Sequence, residues 1–406
     1  MPRLLVDWSP LRHSRNFRLL VIGQLFSLLG SNVTMVAVPY QVYRETHSSL
    51  WVGLASLIQL PFLIAGSLWG GAYGDRFERR TLLVVGSIIA AAASGVLALN
   101  AALSQHDLVV LIALAALAAA AGGFSGPVRQ AAMPTMLRDD QLVSAYSLYQ
   151  IVVNVSIVAG PSLAGVLLAS VSLSSCYLVD ALTFVALAGA TFMMTPISSP
   201  RTNNSHALFR AILEGFGYVR RHAVAQAVYL ADLNANVFGL PRALFPALAL
   251  TVYHGGPRTL GLLYAAPGIG ALLLATFAGW INRVTRRGRT VLLVIVVWGA
   301  AMTALGVVHV LWFAVIVLAV AGAMDMVSAV LRATILQLAI TDEFRSRVSA
   351  IQMAVVTGGP RLGDAESGVV AGFTSTEFSI VSGGLACLVG VGLLAWRRPS
   401  FWSAPV

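Results

Sequence analysis

Hydrophobic stretches recur along this chain at a spacing that leaves it little to be except a bundle of membrane spans. A bilayer core requires about 20 apolar residues of a helix. Twelve such runs are marked by the sequence, over 18–43, 51–69, 82–103, 108–133, 142–169, 175–196, 223–253, 259–281, 291–308, 311–337, 347–373 and 379–396. Only 10% of the 406 residues are charged, against about 25% in soluble domains. Mean hydropathy is +0.82. The expectation is an all-α membrane protein of twelve transmembrane helices.

The formal charge of +10 raises the question of nucleic acid, and the positions of the charges answer it. All 26 basic residues are arginine. On these spans twenty fall in segments on one side of the membrane, two (Arg44, Arg258) in opposite loops, and four (Arg129, Arg242, Arg332, Arg361) in or at the edge of spans. That bias sets orientation with both termini cytoplasmic and leaves no free basic face. Without lysine there is no G-x-x-x-x-G-K-[ST] phosphate loop. The seven histidines are scattered, with no H-E-x-x-H, and Cys176 and Cys387 stand far apart. No enzyme, metal centre or cofactor is expected from this inventory. Met1–Arg18 carries scattered charges and no apolar core, so it does not read as a signal peptide.

The chain repeats itself. The polar knot Gly71–Thr81 between the second and third spans answers Trp280–Thr290 between the eighth and ninth. Arg129, followed by Asp139 and Asp140, answers Arg332, followed by Asp342 and Glu343. Gly160-Pro161 answers Gly359-Pro360. The matches fall in one order at offsets near 200 residues, as parallel six-span repeats require. The expected layout is a basic lead (1–17), a six-helix bundle (18–196), a cytoplasmic linker (197–222), a second six-helix bundle (223–396) and a tail (397–406). Within the linker, Phe209, Ile212, Leu213 and Phe216 share a helical face, so an amphipathic surface helix is expected there.

The first knot reads Gly71-x-x-x-Asp75-Arg76-x-x-Arg79-Arg80, which resembles the loop between helices 2 and 3 of the major facilitator superfamily. Glu78 stands where that superfamily often has glycine. The Asp-Arg-Phe-Glu-Arg form is similar to the enterobactin exporter branch. So are the runs Val38-Pro39, Phe245–Leu248, Leu263–Ala266, Thr357-Gly358 and Gly363-Asp364. The resemblance implies the major facilitator fold, two pseudo-symmetric six-helix bundles. It also implies a gating role for Gly71, Asp75, Arg76, Arg79 and Arg80, with Arg129 and Arg332 bridging to the acidic turns and to loops such as Asp75. Ser156–Gly165 partly matches the G-x-x-x-G-P-x-x-G-G motif of proton antiporters, with Ser156 and Ala164 replacing two glycines. Gly160, Pro161 and Gly165 are then a helix-bend motif; plain small-residue packing is the other reading.

Ionisable groups inside a span mark a pathway or a structural pair. Asp232, Asp325, Asp364 and Glu366 are the candidates to carry a proton. Asp232 and Asn236 share a helix face, and Arg361 and Asp364, three residues apart, are placed to neutralise each other. Asn32, Tyr40, Asn236, Phe238, Arg242 and Arg361 are candidates to line a substrate cavity. Arg242 would favour anionic or catechol-like groups, or else snorkel to headgroups. Asp180 is expected near the outer surface. The resemblance implies an inner-membrane exporter of a siderophore or other small amphiphilic molecule, acting as a monomer by proton antiport. A broad multidrug efflux pump is the alternative within the fold, and a non-transporting membrane sensor the alternative outside it.

Overall fold

The computed structural model describes residues 7–103, 107–197, 216–340, 342–399 and 401. Among them the chain is helical almost throughout. A short helix, Ser9–His13, precedes twelve longer ones: α1 Arg15–Thr46, α2 Ser49–Gly74, α3 Arg79–Ala102, α4 Leu108–Ala132, α5 Leu142–Ser170, α6 Leu173–Phe192, α7 Ala223–Phe238, α8 Gly256–Thr276, α9 Arg287–Val307, α10 Leu311–Ala339, α11 Asp342–Phe373 and α12 Thr376–Arg397. Several starts are capped by side chains, which satisfy amides that a helix leaves unpaired. Asp107 accepts from the N–H groups of Val109 and Val110. Ser172 accepts from Ser175, and Ser375 from Phe378.

Eleven helices among the described residues are long and apolar enough to cross a membrane. Twelve were expected, and the exception is α11. At 32 residues it is long enough. It carries Arg361, Asp364 and Glu366 in its second half, however, and four charged residues in its first turn and a half, so apolarity alone does not mark it as a span. The seventh span also differs from the continuous helix expected over 223–253. Helix α7 ends at Phe238, and Gly239-Leu240-Pro241 breaks it. Pro241 lacks an N–H and pushes Leu240 away from helical geometry. The chain resumes as a 3-10 turn, Arg242–Leu244, one α-turn, Phe245–Ala247, and a π-turn, Leu248–Val252. The eighth span is helical only to Thr276, and a 3-10 turn follows over Ala278–Arg283. Of the linker's expected surface helix, only the last turn, 216–221, lies within the described residues, and it is helical.

The chain forms two compact units, Met1–Gln41 with Ile58–Leu208, and Val42–Leu57 with Phe209–Val406. In the first, α3 packs mainly on α6 and α4. Leu20, Leu82, Leu83, Val128, Ala132, Met194 and Ile197 make one core there, and Phe17, Val21, Met133, Ala145 and Leu148 another. In the second, α9 packs on α12 and α10, α8 on α10, and α11 on α7. The buried Trp298 indole donates to the Gly239 carbonyl at the helix break. Large apolar side chains such as Trp312, Val389 and Trp396 lie exposed, as helices facing lipid require.

Each unit uses the same two close contacts. A Cβ on Gly123 of α4 would stand 2.3 Å from the Leu63 carbonyl oxygen of α2, and a Cβ on Gly322 of α10 would stand 2.0 Å from that of Pro267 in α8. Only glycine lets these backbones touch. Gly160 of α5 packs on Asn32 of α1, as Gly359 of α11 packs on Asn236 of α7. Both asparagines donate to the carbonyl four residues back, Leu28 and Asp232.

Candidate functional site

The titratable groups gather in the second unit. Arg332 of α10 is buried, and its Nη2 lies 2.9 Å from Asp232 Oδ1 of α7 and 3.8 Å from Asp325 Oδ1, two turns back on α10. Its Nη1 donates to Ser328 Oγ at 2.9 Å. Asn236 Nδ2 donates to Asp232 Oδ1 at 2.7 Å, so the expected pairing on that helix face is present. Side-chain exposure separates the two acids. Asp232 and Arg332 are each 5% exposed, whereas Asp325 is 44% exposed. One guanidinium thus serves two carboxylates, one sealed and one reachable. Arg332 was expected to bridge to the acidic turn and to loops such as Asp75; the side chains of Asp342 and Glu343 lie outside what the structure describes, and among the described residues its partners are Asp232, Asp325 and Ser328.

A second cluster forms at that break. Asp364 of α11 accepts from the Ala243 N–H at 3.1 Å through Oδ1 and from Ser56 Oγ at 2.7 Å through Oδ2. Ala243 N–H is among the amides that a helix start leaves unpaired. Arg361 Nη1 donates to the Ser56 carbonyl at 3.4 Å. Tyr264 donates to the Arg242 carbonyl at 3.1 Å and meets Phe245 edge-on. Arg242 is within electrostatic reach of Asp325, Arg361 and Asp364. The expected neutralisation of Asp364 by Arg361 is thus shared with a backbone amide and a serine. Glu366 is half-buried and belongs to neither cluster. Phe238 is the last residue of α7, half-buried, and Tyr40 is buried on α1.

In the first unit the Gly71–Arg80 loop spans the end of α2 and the start of α3. Arg79 is buried, and donates through Nη1 to the Ala131 carbonyl at 2.8 Å and through Nε to that of Gly74 at 3.4 Å. Its backbone N–H reaches the Ile197 carbonyl. Arg80 lies 5.2 Å from the Phe192 ring centroid. Asp75 is half-buried and Arg76 exposed. Arg129 donates to Gln24 Oε1 at 3.3 Å rather than to the acidic turn that follows α4. Gly160, Pro161 and Gly165 are all buried within α5.

Asp180, which the sequence marks as an acid in an apolar run and leads one to expect as structural, proves to be a buried packing residue; its partners were not readable. It lies about two turns into α6 and is 2% exposed. Thr34 of α1 and Ser94 of α3 donate to its Oδ2 at 2.8 and 2.7 Å, and its Oδ1 is buried without a partner. The available signal was a lone acid between apolar residues, which does not reveal two hydroxyls from other helices. Among the described residues no cluster of His, Cys, Asp or Glu is arranged to hold a metal.

Residues 5–402 match the family described as transmembrane secretion effector. The chain is 27% identical to the enterobactin exporter EntS of Citrobacter koseri over 408 residues, covering 97% of this chain and 96% of that one. It is 28% identical to EntS of Salmonella typhi over 399 residues, covering 96% and 94%. Among solved structures, a variant of the peptide transporter POT superposes with a TM-score of 0.78 at 11% identity, covering 96% of this chain and 95% of that one. A variant of the nucleoside transporter NupG gives 0.78 at 11%, covering 95% and 100%. The fold is therefore that of a major facilitator transporter rather than an enzyme, and the chain belongs to the transmembrane secretion effector family.

Proposed function

We propose that this protein exports a siderophore or similar small amphiphilic molecule across the bacterial inner membrane, by alternating access and in exchange for protons. On this reading α11 is the twelfth span, both termini are cytoplasmic, and the Gly71–Arg80 loop latches the transporter in one state. The observation that carries the coupling is the sharing of Arg332 between Asp232 and Asp325. With both carboxylates charged, Asp325 at 3.8 Å is the less closely paired of the two, with Arg242 acting on it only at longer range, and a carboxylate short of a close partner is the one that most readily takes a proton. A proton arriving at Asp325, the reachable acid, removes its charge and releases Arg332 to Asp232 alone. Loss of the proton restores the competition for Arg332. Because Asp232 and Arg332 sit on different helices, each protonation state favours a different balance between α7 and α10, which is what a two-state transporter must bias. Likeness to the EntS exporters supports the substrate class.

The test is proton release from acidified everted vesicles with and without the protein. A catecholate siderophore should collapse the preset gradient, and Asp325→Asn should abolish the response while Glu366→Gln weakens it less. A response unchanged in Asp325→Asn overturns Asp325 as the carrier. No proton movement alongside measurable siderophore flux overturns antiport.

A further inference from the structure

Each unit carries an arginine near the end of its fourth helix that reaches back to its first. Arg332 meets two carboxylates and a serine. Arg129 meets no carboxylate among the described residues. Its Nη1 donates to Gln24 Oε1, itself on a side chain only 3% exposed. Its guanidinium carbon lies 5.4 Å from the Tyr149 ring centroid. Its Nε is buried and has no acceptor. Nε and Nη2 form the side-on edge of a guanidinium, the edge that takes two oxygens of one anion in parallel. In Arg129 the Nε half of that edge has no acceptor among the described residues, and Nη1, on the other edge, holds Gln24.

An arginine at a helix C-terminus gains from the helix dipole, and that accounts for a cation here. It does not account for the rest. A buried N–H with no acceptor loses its hydration without repayment, and Gln24 and Tyr149 fix the side chain with Nε left over. We propose that Arg129, held by Gln24 and Tyr149, is a recognition site for a planar aromatic oxyanion, a carboxylate or vicinal phenolate, on the exported molecule. This rests on the export reading above and names the substrate feature it selects. The anion pairs with Nε and Nη2, and its ring lies beside Tyr149. Nε is covered in this structure, so a small rotation of Arg129 accompanies binding, driven by pairing an N–H that is now orphaned. Its counterpart in the second unit, Arg332, is already occupied by its own acids.

Binding of salicylate to the purified full-length protein in nanodiscs tests this, with benzylammonium as the cation of similar shape. Wild type should bind salicylate saturably and prefer it over benzylammonium. Arg129→Gln should weaken salicylate at least tenfold and Arg129→Lys less, since lysine keeps the charge and loses the fork. Tyr149→Leu should weaken it severalfold. Monodisperse elution of each variant checks folding. Absence of saturable binding to wild type, an Arg129→Gln affinity within twofold of wild type, or equal binding of benzylammonium overturns the proposal. Failure of proton exchange in the wild type with salicylate binding intact overturns only the antiport.

Discussion

Arg332 and Asp232 are each 5% exposed and 2.9 Å apart, so neither is replaceable alone. Arg332→Ala leaves a buried carboxylate unpaired and is expected to cost about 3–5 kcal/mol. Asp232→Asn is expected to cost less, because the amide oxygen still accepts from Arg332. Thermal unfolding in detergent should rank Arg332→Ala below Asp232→Asn, and equal loss would mean the pair is not what holds α7 to α10. Asp180 gives a parallel case. Asp180→Asn keeps an acceptor for Thr34 and Ser94, whereas Asp180→Leu strands two hydroxyls at about 1–3 kcal/mol each. A melting temperature lower for Leu than for Asn, by several degrees, is the expected outcome. The intramembrane acids were all visible in the sequence as charges in apolar runs. Which of them would share an arginine was not, since Asp232 and Asp325 lie 93 residues apart and meet only because α7 and α10 pack together.

At the scale of helices, glycine decides where backbones touch. Gly322 has the Pro267 carbonyl in the way of any Cβ, while Gly95 of α3 has nothing within 4 Å. Gly322→Ala should therefore destabilise the protein and Gly322→Leu should give little folded material. Gly95→Ala should be neutral or slightly stabilising, by up to about 1 kcal/mol of helix propensity. Yields of monodisperse protein distinguish these, and a tolerated Gly322→Leu would refute the α8–α10 contact. Helix existence was legible from the length of the apolar runs. The break after Phe238 was not read, although Gly239 and Pro241 stood in the sequence; a run that stays apolar hides a change of backbone geometry. Its consequence, a buried Ala243 amide freed from helical pairing that Asp364 caps, follows from the break.

For the molecule as a whole, the question left by composition is whether α11 crosses the membrane. If it does, the first and last described helices begin and end on the same side. Trp8→Cys and Arg397→Cys, both exposed, placed in a background lacking Cys176 and Cys387, should then be labelled by an impermeant maleimide in everted vesicles and protected in intact cells. Labelling of the two on opposite sides would mean that α11 does not span. The sequence by itself determined that this chain is a membrane-embedded helical protein and that its motifs recur in one order in its two halves. These follow from hydropathy and spacing, which are local. Only the tertiary structure decided that Arg332 serves two acids while Arg129 meets none among the described residues, and that Asp180 sits between two hydroxyls. Those depend on which helix faces meet, and that is set by backbone contacts between residues far apart in the chain.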